Sequence, residues 1–265
     1  PPPSPPVNKM ASLVFPFHDT DGSQIKLLLK ILPILKQNFK NSFVSITPKT
    51  RPHQEIINIL EADPFFILNF NGDNTSIGDH FVSGYRNAAE KSLPDEILHL
   101  CASDRLSFAL LGGFSNSFLK DTVNLNSLQV PLLFQRSKTA WKTHPRNYQA
   151  MESMVTELGR ILFGGALDYC WCHLAVSCAD LRKILPQVKS HDFVILAEIV
   201  LLLKNKITTK EVDWLSWEDP FILGKDPDSY KKERENDPLE IKKRMEYVIP
   251  QINYLLRTFS KEHLS

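Results

Sequence analysis

Residues 12–47 read SLVFPFHDTDGSQIKLLLKILPILKQNFKNSFVSIT. Residues 12–18 form a short apolar run of strand length, and from Ser23 onward Leu and Ile recur at spacings of three and four, the period of an amphipathic helix. SFVSIT (42–47) then returns to a strand, so the stretch is one unit of strand, loop, helix and strand. The unit repeats: a helical pattern at 53–62, PFFILNF (64–70), a helix at 79–92, EILHLCAS (96–103) and a helix at 105–119. A crossover helix joins strands that run the same way and covers one face of their sheet. The alternation therefore predicts an α/β fold with a mostly parallel central sheet and helices on both faces.

The second half continues the pattern less regularly. VPLLFQR (130–136) reads as a strand, RNYQAMESMVTELGRILFG (146–164) as a long amphipathic helix, ALDYCWCHLAVS (166–177) as a strand, 191–204 as a helix and EVDWLSW (211–217) as a strand. KDPDSYKKERENDP (225–238) is charged and turn-rich, which predicts a surface loop, and a helix punctuated by Pro250 closes the chain over 238–259. No fixed-period repeat and no linker divides the chain. A Pro-rich tail (1–11) thus precedes a single domain over 12–265.

Thirty-one Lys and Arg against 30 Asp and Glu give a formal net charge of +1, which leaves no whole-protein field to attract nucleic acid or an anionic membrane. The longest apolar stretch, Val194 to Leu203, is interrupted by Glu198 and is about half of the roughly 20 residues a bilayer span needs. PPPSPPVNKM at the start has no apolar region of the kind a secretory signal carries. Four cysteines are too few for a disulfide scaffold, so a cytoplasmic location is the expectation. Cys170, Cys172 and Cys178 cluster near His173, but Cys170 and Cys172 would share one strand face, whereas zinc pairs usually have about two to four intervening residues on a turn. Buried core thiols are the expectation there.

In an open parallel sheet, ligands bind at the carboxyl ends of the strands, where loops and helix N-termini converge. That rule selects His18-Asp19-Thr20-Asp21-Gly22, Thr47-Pro48-Lys49-Thr50-Arg51, Asn71-Gly72-Asp73-Asn74 and Ser103-Asp104-Arg105. Polar loops follow strands in most folds. Lys49, Arg51 and Arg105 are more informative, because they place cations where a phosphate would lie.

GYRNAAEKSLPDEILHLCASDRLSFAL (84–110) resembles the central stretch of family-2-like glycosyltransferases of the GT-A fold. There a Gly-x-Arg-Asn helix start leads through an Ala-rich helix and an apolar strand to an Asp-x-Asp motif. Gly84, Arg86, Asn87, Ala88 and Ala89 match the first part; Ala102-Ser103-Asp104 aligns with Asp-x-Asp but has Ala at its first position. LVFPFHD (13–19), LLFQRSKTAWKTHP (132–145), RILFGGALDYCWCHLAVSCADLRKIL (160–185) and FVILAEIVLLLKNKITTKEVDWLSWEDP (193–220) resemble the family's flanking segments in order. The resemblance implies a hexosyltransferase-type enzyme that moves a sugar from a nucleoside-diphosphate sugar to an acceptor. It assigns 12–120 to the nucleotide, 121–224 to the acceptor side and 225–265 to a charged loop and terminal helix.

The donor residues it implies are His18, Asp19, Thr47, Lys49, Arg51, Arg86, Asp104, Arg105, Arg136 and Lys138. In the family, Asp-x-Asp holds Mg²⁺ or Mn²⁺ through hard carboxylate oxygens. Here Asp104 would be the lone metal carboxylate, its site completed by diphosphate and waters, or the cations Arg105, Lys49, Arg51, Arg136 and Lys138 would balance the diphosphate instead. For a general base the expectation is Asp168, which follows Gly164-Gly165, and then Glu198, a carboxylate on an apolar helix face. Two other readings stand beside this one: a GT-A-like nucleotide or sugar-nucleotide binder without transfer activity, and a haloacid dehalogenase-like phosphatase, which Asp19-Thr20-Asp21-Gly22-Ser23 resembles, with Asp19 and Asp21 as its acidic pair.

Overall fold

A computed structural model gives the structure of residues 10–126, 128–218 and 220–263. Residues 1–9 of the Pro-rich tail lie outside these, while Ala11 is buried and its carbonyl accepts from the Lys40 amide, so the fold begins by that residue. Seven strands, β1 (Ser12–Phe17), β2 (Ser42–Ile46), β3 (Phe66–Phe70), β4 (Ile97–Cys101), β5 (Leu132–Arg136), β6 (His173–Ser177) and β7 (Thr208–Val212), form one sheet in the order β3-β2-β1-β4-β6-β5-β7. Only β6 runs against the others: it pairs antiparallel with both β4 and β5, and every other pairing is parallel.

Strand alternation sends side chains to two cores. Leu13, Phe15 and Phe17 meet α1 (Ser23–Asn38), α2 (Gln54–Glu61), α4 (Ser103–Leu111) and α5 (Ser115–Thr122) on one face. Val14, Phe43, Leu98, Leu100, Leu174 and Val176 meet α3 (Ile77–Lys91), α7 (Arg146–Phe163), α8 (Cys178–Ile184), α9 (Val194–Leu203) and α11 (Pro238–His263) on the other. Among the described residues, no helix is long and apolar enough to cross a membrane.

Four segments differ from the sequence expectation. The helix expected over 105–119 is two, α4 and α5, separated at Gly112-Gly113, where Gly113 takes a left-handed φ of 83°. The strand expected over 166–177 begins only at His173, so Cys170 and Cys172 lie in the loop before it, not on one strand face. β7 starts earlier than expected and gives way to a 3₁₀ turn at Asp213–Leu215. The loop expected over 225–238 contains a helix, α10 (Pro227–Asn236), for a local reason: Asp226 accepts from the Ser229 amide at 2.9 Å, Pro227 opens the first turn and Tyr230 is buried. The remaining short helix, α6 (Lys138–Thr143), follows β5.

The reversal of β6 decides where the chemistry gathers. In its antiparallel register with β4, Cys101 pairs with His173, so the loop entering β6 lies at the carboxyl end of β4. Asp168 reaches the carboxyl end of β5, where it pairs with Arg136, from a loop that precedes its strand.

Candidate functional site

At the ends of β1 to β3, the loops are tied together by hydroxyls. His18 Nδ1 is 3.0 Å from Thr47 Oγ1, which is 3.0 Å from Thr50 Oγ1, and Thr50 Oγ1 accepts from the Asp19 amide at 2.7 Å. Asp19 is buried and turned inward: Oδ1 accepts from the Gly22 amide and Oδ2 from the Ile25 amide, each at 2.8 Å. It thereby satisfies orphan N–H groups at the start of α1, where Gly22 offers no side chain. Asp21 accepts from the Ser23 amide, and hydrogen bonding to Ser23 holds its carboxyl below the usual range. Arg51 donates to the Asn71 carbonyl at 3.0 Å and pairs with Asp73. Lys49 is exposed in the loop after β2.

At the ends of β4, β5 and β7, a denser charge network forms around a small cavity of about 60 Å³. Arg136, the last residue of β5, is buried at its centre. It donates to both oxygens of Asp168 at 2.9 and 2.8 Å and to Glu152 Oε2 at 2.5 Å, and its guanidinium lies 3.8 Å from the Trp141 ring centroid. Glu152, on α7, accepts from Arg244 of α11 through its other oxygen at 2.6 Å. Burial pushes the Asp168 carboxyl up, with Glu152 adding to the rise and Arg136 opposing it. His144 also lines the cavity. Its Nδ1 is 2.9 Å from the Ala140 carbonyl, and burial together with Arg136, Arg105 and Arg244 pushes it down to about 2, so it is neutral with its lone pair on Nε2.

Arg105, on the first turn of α4, lacks a full set of partners. Its Nε is 3.6 Å from Asp104 and its Nη2 is 3.7 Å from Glu218, ion-pair contacts longer than hydrogen bonds, and its buried Nη1 has no hydrogen-bond partner. Burial works against its charge, but Asp104 and Glu218 outweigh that and raise the group further. Arg244 Nε, in the same cavity, is also buried without a partner. Asp104 is 41% exposed, and its Oδ1 accepts from the Arg105 amide at 2.8 Å. One exposed carboxylate beside a guanidinium is not by itself the donor set of a divalent cation. Among the described residues, no three His, Cys, Asp or Glu side chains converge where they would hold a metal ion.

The structure thus brings together Asp104, Arg105, Arg136 and Asp168 in one cluster, and His18, Asp19, Thr47 and Arg51 in another. Lys138 is exposed at the start of α6. Arg86 is exposed in the third turn of α3 and lines two depressions, one with Asp73 and Asn74 of the loop after β3 and one with Glu90 and Arg182. Glu198 is buried, with its two oxygens accepting from the Lys189 and Ser190 amides at 2.9 Å each, and it lines a separate depression with Tyr254 and Arg257. It anchors the loop that enters α9.

Sequence reasoning missed Glu152, Arg244, His144 and Glu218. Glu218 follows β7, accepts from Tyr230 Oη at 3.1 Å and forms part of the wall of an aromatic cleft of about 310 Å³ beside Arg105. The one available signal was its place in SWEDP, immediately after a strand expected to end at the ligand edge. No protein-family model matches this chain, and no curated protein matches it in sequence.

Proposed function

We propose that the protein is a GT-A-type glycosyltransferase that moves a sugar from a nucleoside-diphosphate sugar to a hydroxyl-bearing acceptor. The observation that carries this reading is the unpartnered Nη1 of Arg105 at the carboxyl end of β4, where a parallel α/β sheet binds its ligands. A guanidinium held between two carboxylates with its Nη1 left without a hydrogen-bond partner keeps one preorganised donor for a diphosphate. The mostly parallel seven-stranded sheet with helices on both faces supports the GT-A resemblance at the level of architecture.

In this reading the nucleoside lies over His18, Thr47 and Arg51, and the diphosphate lies against Arg105. Asp168 and Glu152 position Arg136 and through it the floor of the site. Both Asp168 oxygens are engaged by Arg136, and both Glu198 oxygens by backbone amides, so neither is placed to take a proton. Glu218, at the junction of the charged cavity and the aromatic cleft, takes the general-base role. Its carboxylate accepts the acceptor hydroxyl's proton as the oxygen bonds to the anomeric carbon, while the bond to the departing diphosphate breaks and Arg105 holds the leaving charge. The phosphatase reading has less support, because Asp19 caps α1 with both oxygens and presents no free one to phosphorus.

Calorimetric titration with UDP-, GDP- and other nucleotide sugars, with and without Mg²⁺ or Mn²⁺, tests the proposal. One nucleotide sugar is expected to bind, and Arg105→Ala is expected to weaken it by about tenfold or more, the loss of a charge-assisted hydrogen bond. Absence of binding across the whole panel overturns the reading. Binding without release of nucleoside diphosphate to any acceptor would identify a sugar-nucleotide binder instead.

A further inference from the structure

The aromatic cleft lies between α4, the turn after β7 and α10, and its chemistry differs from that of the charged cavity. Phe108, Phe114 and Trp217 supply its apolar walls, and Glu218, Asp228 and Lys231 are its charged groups. The lining carries two carboxylates and one ammonium, and Arg105 lies 3.7 Å from Glu218, so no excess of cation marks the cleft for a phosphate or a nucleotide. Trp217 is 7% exposed, and its indole Nε1 is buried with no hydrogen-bond partner. The Trp217 ring stacks on Tyr230, with centroids 5.2 Å apart, and Tyr230 in turn donates to Glu218, so the wall is rigid and its unmet N–H donor stays in place. A volume of about 310 Å³ holds one or two small rings.

We infer that this cleft binds an uncharged saccharide of one or two rings. Apolar C–H faces pack on aromatic walls, hydroxyl protons are accepted by Glu218 and Asp228, and a ring or hydroxyl oxygen accepts from Trp217 Nε1. Such a ligand meets both carboxylates and the indole N–H of the lining without burying a charge of its own. Calling it the acceptor rests on the transferase reading; binding in the cleft does not.

The test is a titration of the full chain, with no nucleotide present, with glucose, galactose, mannose, N-acetylglucosamine, maltose, cellobiose and lactose, followed by tryptophan fluorescence and calorimetry. One or more of these sugars is expected to bind saturably. Trp217→Phe keeps the ring and removes the N–H, and Asp228→Ala changes an exposed residue at the rim; each is expected to weaken binding by about fivefold, the loss of one hydrogen bond. No saturable binding by any sugar overturns the inference, as does binding that both variants leave unchanged. Uridine or UMP binding that Trp217→Phe weakens would assign the cleft to the nucleoside and overturn it too. Saccharide binding with no nucleotide-sugar binding would leave the cleft standing and remove the transferase reading; the reverse result would remove only the cleft.

Discussion

Glu152 holds two guanidiniums at once, Arg136 through one oxygen and Arg244 through the other, with its own side chain only 4% exposed. Removing a carboxylate from such a group leaves cations buried without compensation, a far larger effect than deleting a surface ion pair. Glu152→Ala is therefore expected to destabilise the protein by about 3–5 kcal/mol in urea unfolding. A loss under about 1 kcal/mol would mean that Asp168 or water already neutralises the pair. The same residue shows why parts of the site could not be read from sequence. In QAMESMV an acidic residue on a helix looks like solvent-facing charge, and only partners 16 and 92 residues away make it an interior anion.

Elements were more legible than their connections. The strands from β1 to β4 and the helices between them followed from apolar runs alternating with a period of three to four. The direction of β6 did not, because hydrophobicity along ALDYCWCHLAVS carries no sign of which way the strand runs. That direction is what delivers Asp168 to Arg136. α10 escaped notice because its stability comes from the Asp226 cap and the single buried Tyr230, not from an apolar stripe. At the start of α1, DTDG could be read equally as a nucleophile loop or a turn, and the geometry makes Asp19 a cap acting from upstream of the helix. Asp19→Ala is expected to cost about 1–2 kcal/mol by loosening that turn, measured as a lower unfolding midpoint. If Asp19→Ala matched the parent protein in stability, the side chain would have to be free for chemistry, and the phosphatase reading would regain weight.

Across the whole molecule, histidines that the native state holds neutral are buried in the core packed against α1, α4 and α5 and in the charged cavity. His99 of β4 and His173 of β6 meet at 2.8 Å between ring nitrogens, enclosed by Phe39, Phe118, Phe134 and Trp214, and their outer nitrogens have no partners. Burial pushes His99 down to about 3 and His173 well below its usual value; His144, in the charged cavity, is lowered to about 2. In the unfolded chain each returns to about 6.5, so below that pH the unfolded state binds protons that the native state refuses. Stability from these groups is complete above pH 6.5 and is lost as the pH falls, with a slope approaching about 1.4 kcal/mol per pH unit for each histidine. Urea midpoints measured from pH 7 down to about 5, above the ordinary carboxylate range, are expected to fall steadily. Replacing both members of the pair, His99→Phe with His173→Leu, removes two titrating groups and their unmet nitrogens together, and is expected to flatten most of that slope without a large loss at pH 7. An unchanged slope in the double variant would mean that the pair is already solvated and that the acid sensitivity of the fold resides at His144 and the arginines around it.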